Sequence, residues 1–514
     1  MVTIWLRIFV LLLAPQAPSA SVYQQAAIEL QKGNAKAAED LVDPLLLKDP
    51  KDLRALTLKG MAATAQGRRD EANAQYVAAL EVQPRFAPAL RGLAMNEMAA
   101  GNAASAKKHF EALLEIVPEE PVAHLGLGEI QCSERLYMEC LDHFERSNGA
   151  FLMDPRTILT YADAAIQRKQ PAKAEAALSQ MPKTAEPEQH LQAGLMLARM
   201  EKYELAAREF EGATAGRDAY LAGYNLALAR LKANQADGAV QAVLSLQAKG
   251  FRTAELYNVL AQAYEKRNQT REAFDALRSA IQIDPGDETN YLDLIALCLD
   301  HKNLDLALDI AKVGVTQLPK SEKLRLQKAI VLAMRGELEE ARQAFAAAAE
   351  LAPGKGLPQV ALGLVLLQMD RPDEAVQVLR QSKPDVEDRY LVNWFLAEAL
   401  GRGAADTSEK SEEEAVAALQ QCIAQRPDLA QPRILLGKFL LRRGDTGEAI
   451  AQLERALEIE PGNSTATYRL AQAYRKKGDL KRANELFATV SKAKSEERDE
   501  LMRKGLELIK EGGK

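Results

Sequence analysis

Residues 53–86 read LRALTLKGMAATAQGRRDEANAQYVAALEVQPRF. Leu56, Gly60 and Ala63 fall on one face of a first helix, because residues three and four apart stack along a helix. Gly67 marks a turn. Ala72, Tyr76 and Ala79 fall on one face of a second helix. Pro84 ends it, since proline lacks an N–H and clashes with the preceding turn. Gly60 and Ala72 are small where two antiparallel helices cross, and Tyr76 fills the space beyond. The stretch therefore reads as a helix hairpin.

Its length recurs along the whole chain. Prolines that end helices stand at Pro50, Pro84 and Pro118, at Pro285, Pro319 and Pro353, and at Pro427 and Pro461, in steps of 34 within each group. Segments align from 19, 53, 87, 121, 155, 187, 220, 254, 288, 322, 356, 390, 430 and 464. A period of this size marks a repeat architecture and overrides the roughly three domains that length alone suggests. Composition agrees: 88 of 514 residues are alanine and 5% are aromatic, as close helix packing without large aromatic cores requires. A net charge of −6 without a basic block argues against nucleic acid as the main partner.

The recurring positions resemble the tetratricopeptide repeat. Gly128, Gly194, Gly363 and Gly437 stand in the Gly60 place. Ala106, Ala206, Ala273, Ala307, Ala341, Ala375, Ala449 and Ala483 stand in the Ala72 place, and Phe110, Phe144, Phe210, Phe345 and Phe487 in the aromatic place. The resemblance implies an all-α superhelical solenoid of about fourteen helix-turn-helix repeats. A first block covers 21–154. A degenerate block covers 155–253, where Pro171, Pro182 and Pro187 interrupt the pattern. A second block covers 254–389. A last block, 390–497, carries a charged, small-residue insertion at 401–414 that reads as a mobile loop. Residues 498–514 read as a capping helix, with Leu501, Leu508 and Ile509 at helical spacing to cover the last repeat.

Residues 1–20, MVTIWLRIFVLLLAPQAPSA, place one charge before a short apolar run and a small-residue exit. That is the order of a secretory signal, too short to span a bilayer comfortably, and an N-terminal anchor is the rival reading. The rest of the chain holds no membrane-spanning stretch, so the expected location is the periplasm, or outside the cell.

Catalytic signatures are missing: there is no H-E-x-x-H, G-x-x-x-x-G-K-[ST] or G-x-S-x-G. No catalytic residue, metal or cofactor is expected, and no segment outside the repeats is long enough for a catalytic domain. Cys298 and Cys422 fall at small core positions. Cys132 and Cys140 lie on facing helices of one repeat, where export would permit a disulfide and burial alone would equally account for them. His124 and His143 are near them in sequence, but a cysteine spacing of eight is not that of a zinc knuckle. His109, His190 and His301 read as surface or helix-side residues.

The resemblance assigns the concave surface to positions two, five, nine, twelve and thirteen of each first helix. In 288–369 these positions include Leu292, Leu299, Leu326, Ile330, Met334, Val360, Leu364 and Leu367, which make the first helices apolar nearly all round. Such helices are either buried or expose a partner groove. In 430–477 they give Gln431, Lys438, Arg442, Tyr468, Gln472, Arg475 and Lys476, a polar and basic wall that is either a solvated face or a receptor for carboxylates. The functional expectation is a non-enzymatic scaffold of the periplasm or cell envelope, holding protein or peptide partners in assembly or secretion. The alternative is the periplasmic component of an exopolysaccharide synthesis or export machine, with direct glycan binding disfavoured by the scarcity of tryptophan.

Overall fold

The computed structural model describes residues 21–351, 355–383, 385, 387–402 and 409–491. The signal-like segment 1–20 and the expected cap at 498–514 lie outside the described residues. All described regular structure is helical. Helices pair as hairpins throughout, from Val22–Gln31 with Ala35–Lys48 to Ser464–Lys477 with residues 480–491. The chain forms two compact units, residues 1–252 with 262–269, and residues 253–261 with 270–514.

The hairpin arises as the sequence requires. Each of the nine alanines in the crossing place, from Ala72 to Ala483, is buried. An aromatic ring on the second helix then packs against glycine. In the first unit a Cβ on Gly60 would stand 2.6 Å from Tyr76 Cε1, and one on Gly92 of the next repeat would also strike the ring. Tyr76 thus lies between helices Leu53–Ala65 and Ala87–Ala99. Gly126 takes the Phe110 ring in the same way, so each ring links its own repeat to the next.

Turns between paired helices need a residue with positive φ. Glycine supplies it at Gly67 and Gly336, and Arg135, Lys169, Glu201, Asn234, Asn268, Lys302 and Asp370 adopt it without being glycine. The degenerate block folds into hairpins too. Pro171 and Pro187 are not interruptions: each is the first residue of its helix, where the missing N–H costs nothing. The helix Pro171–Leu178 has only eight residues, and this shortening accommodates the shortened repeat. The insertion at 401–414 also needs correction. The second helix starts at Glu409 and runs to Gln425, so Glu409–Glu414 are helical, and residues 403–408 lie outside the described part.

Cys132 and Cys140 form a disulfide, with Cα atoms 5.2 Å apart. It ties helix Pro121–Ser133 to Tyr137–Arg146. Cys298 and Cys422 are buried free thiols pushed up to about 11 by burial, which keeps them unreactive. His190 is a core residue rather than a surface one: it is buried, with Nδ1 2.8 Å from Glu209 Oε2.

Candidate partner-binding cleft

In the second unit, four first helices lie in succession: Gly356–Gln368, Arg389–Leu400, Ala430–Arg443 and Ser464–Lys477. Their side chains line a cleft of about 530 Å³. Leu364, Leu367 and Gln368 come from the first helix, Trp394, Phe395, Glu398 and nearby Arg402 from the second. Gln431, Ile434 and Leu435 come from the third, and Thr465 and Arg469 from the fourth. Spacings of three and four within each helix bring these side chains to one face. The Trp394 and Phe395 rings stack with centroids 5.0 Å apart.

Among the described residues, the charges that line the cleft, Glu398, Arg402 and Arg469, and those near it, Glu412, Lys438 and Arg442, are unevenly paired. Arg402 meets Glu398 at 3.0 Å, and Arg442 meets Glu412 at 3.8 Å. Among the described residues, half-buried Lys438 donates to the Gly401 carbonyl oxygen, at 3.5 Å, and its ammonium lies over the Phe439 ring. Buried Arg469 Nε has no hydrogen-bond partner. Burial, then the positive charges of Arg442 and Arg469, push the Lys438 ammonium below its ordinary range. Burial and Arg442 act on Arg469 in the same direction, and Glu398 opposes them at both side chains. Arginine stays ionised regardless, so its shift reads as an unfavourable electrostatic environment rather than loss of a proton.

The residues expected to line an apolar groove separate into three groups. Leu364 is 42% exposed and Met334 54%, whereas Val360 is 3% and Leu367 7% exposed. Val360 is therefore core, and Leu367 is a core residue whose edge floors the cleft. Leu292, Leu299, Leu326 and Ile330 are half-buried. On the polar side, Gln472, Arg475 and Lys476 line a second hollow of about 370 Å³ with Leu441. Lys476 Nζ donates to the Leu441 carbonyl at 2.6 Å. Exposed Tyr468 packs edge-on to Phe487 at 5.6 Å, and Arg475 lies over the same ring.

Trp394, Phe395, Glu398, Arg402 and Arg469 were not singled out by the sequence. The available signal was Trp394 itself, the one tryptophan after residue 20. It sits at position five of the repeat that starts at 390, between the stretches 288–369 and 430–477.

The first unit has its own cleft, of about 600 Å³, with Glu129, Cys132, Tyr137, Asp154, Arg156 and Thr160 in its lining. Burial, reinforced by Asp154 and opposed by Arg156, raises the Glu129 carboxyl to about 7. Behind it, His124 Nδ1 lies 2.7 Å from His143 Nδ1, and His124 Nε2 lies 2.9 Å from the Pro118 carbonyl oxygen. Only a donor can face a carbonyl, so in the neutral pair His143 donates to His124. No group of three or more metal-ligating side chains occurs among the described residues. No helix among them is long and apolar enough to cross a membrane.

Family models of the tetratricopeptide repeat match residues 57–121 and 413–464, 254–287, and 440–503. The chain carries tetratricopeptide repeats. It is 25% identical over 174 residues to the BBSome complex member bbs-4 of Caenorhabditis elegans, a match covering 33% of this chain and 37% of that protein. The match therefore spans little more than a third of that relative's length. Among solved structures, yeast Tom70 is 16% identical, with 84% of this chain and 97% of that one covered and a TM-score of 0.37. The Cut9 and Hcn1 assembly of the APC/C is 12% identical, with 92% and 99% covered and a TM-score of 0.35. MamA of Desulfovibrio magneticus RS-1 is 20% identical, with 35% and 98% covered and a TM-score of 0.30.

Proposed function

We propose that this chain is a non-enzymatic scaffold, exported to the periplasm or cell envelope, that holds partner proteins or peptides on the first-helix face of its repeats. The observation that carries the reading is the cleft at Trp394. It joins an exposed leucine, a stacked aromatic pair and incompletely paired cations on one face of four consecutive repeats. Apolar anchors beside polar groups are the usual composition of a binding hot spot. Export is supported by the signal-like residues 1–20 and by the Cys132–Cys140 disulfide, a bond that persists mainly in oxidising compartments.

The experiment is affinity capture from an envelope extract with the unaltered chain, Leu364→Asp and Trp394→Ala. The unaltered chain recovers a specific partner, and both variants lose it while keeping their helix content. Equal recovery by all three overturns the site. Cell fractionation tests export: the chain appears in the envelope or periplasmic fraction, and a purely cytosolic distribution contradicts it. The second reading, a part of an exopolysaccharide machine, is favoured by the stacked Trp394–Phe395 pair, because sugar rings stack on aromatic faces. It predicts recovery of polymer-synthesis or export proteins in the same capture.

A further inference from the structure

We infer that the Trp394 cleft selects its partner by a carboxylate side chain carried next to a bulky apolar one, on a segment that lies across the four first helices. The inference rests on the partner-binding reading of this cleft and names the chemistry the partner must present.

Among the described residues, four cations, Arg402, Lys438, Arg442 and Arg469, stand in and around the cleft, and the carboxylate that acts on both Lys438 and Arg469, Glu398, is already held by Arg402. Glu398 engages Arg402, and Glu412 engages Arg442. Lys438 has no carboxylate within 4 Å among the described residues, and Arg469 Nε is buried without a hydrogen-bond acceptor. Uncompensated buried charge is unfavourable unless a counter-charge arrives. A carboxylate there gains charge-assisted hydrogen bonds from the half-buried Arg469 guanidinium. A solvated surface patch would instead leave its cations in water, and these two are half-buried.

Beside the cations stands the apolar wall of Leu364, Leu367, Trp394, Phe395, Ile434 and Leu435. Leu364 loses water contact only when something covers it. The volume of about 530 Å³ accommodates two or three side chains, not a folded domain. The walls come from four successive helices, which suits a segment passing through more than a terminus inserted at a closed end. The wall is also largely aliphatic, which favours a peptide side chain over a sugar ring.

Fluorescence anisotropy with the full chain tests this with four labelled probes. The first is an acetylated and amidated decapeptide of alternating glutamate and leucine with serine flanks. The second is its glutamine twin, the third is that twin with a free C-terminal carboxylate, and the fourth is a polyuronate oligosaccharide. The glutamate peptide binds at least about tenfold more tightly than its glutamine twin, since a hydrogen bond to a charged group is worth that much or more. Arg469→Gln and Lys438→Gln each remove about tenfold from the glutamate peptide and leave the glutamine twin unchanged. Circular dichroism shows both variants folded. Leu364→Ser weakens both peptides.

Equal binding of glutamate and glutamine peptides overturns the inference. So does preference for the free terminus, binding of the polyuronate alone, or binding of no probe. The scaffold reading is tested separately: if envelope capture still depends on Leu364 and Trp394 while the carboxylate makes no difference, that reading stands, the inference falls, and the cleft binds partners by apolar contact alone.

Discussion

Gly60→Ala is a test of how the repeats are locked together. A Cβ at Gly60 would stand 2.6 Å from Tyr76 Cε1 and 2.9 Å from Cδ1 and Cζ. Ordinary carbon contacts begin near 3.5 Å, so the ring must retreat by nearly 1 Å. It has little room to move, because it is 2% exposed and Gly92 of the next repeat also packs against it. Overpacking of this kind costs about 1–3 kcal/mol. Alanine in a helix interior returns about 1 kcal/mol relative to glycine, so the expected net loss is about 0–2 kcal/mol, and about 1–3 kcal/mol relative to the same substitution made without the clash. In a Tyr76→Leu background the clash is gone and the same substitution becomes stabilising, by up to about 1 kcal/mol. A long array does not unfold in one step, so the assay is hydrogen exchange resolved to helices Leu53–Ala65 and Ala87–Ala99. An equal effect of the substitution in the two backgrounds refutes the account of the ring as the link between repeats.

Three further outcomes follow from other parts of the molecule. Reducing Cys132–Cys140, or replacing both with serine, should cost about 2.5 kcal/mol of local stability from loop entropy over so short a loop, read as faster exchange in 121–146. Glu129 is raised by burial to about 7 from its usual 4.5, so the folded chain holds the extra proton. Its contribution is fully present below about pH 4.5 and lost as pH rises through 7. Glu129→Gln should therefore show a flatter stability profile across that window and greater stability at pH 8 by thermal melting. Asp370 holds a φ of 57°. Asp370→Gly should be neutral to stabilising by up to about 1 kcal/mol, whereas Gly336→Ala in the equivalent turn should cost about that amount.

The sequence disclosed the hairpin and its period because those depend on local spacing. Pro84, Ala72 and Tyr76 each have one job within their own repeat, and the jobs recur. What stayed hidden depends on neighbours. Gly92 and Gly126 accept rings from the preceding repeat, at positions that have no meaning inside a single hairpin. Arg135 and Asp370 hold the left-handed turn, since the paired helices fix the turn whatever residue occupies it. The face of a helix that is apolar all round cannot be assigned from composition. Val360 and Leu364 stand four residues apart, and one is core while the other is exposed. Trp394 and the Glu398–Arg402 pair come from one repeat and Arg469 from the second repeat after it, and only stacking brings them to one cleft. The loop expected over 401–414 gives way to helix from Glu409 because its charged residues Glu409 and Glu412–Glu414 are good helix formers.

The most direct test of the central claim is photocrosslinking in the native cell, with a photoreactive residue at Trp394 and a control at Val313, which is exposed on helix Leu304–Gln317. The account predicts a discrete protein adduct from position 394 that disappears in Leu364→Asp, and none from position 313. Adducts from 313 but not 394, or no adduct from 394 in cells where the chain is abundant, would contradict it.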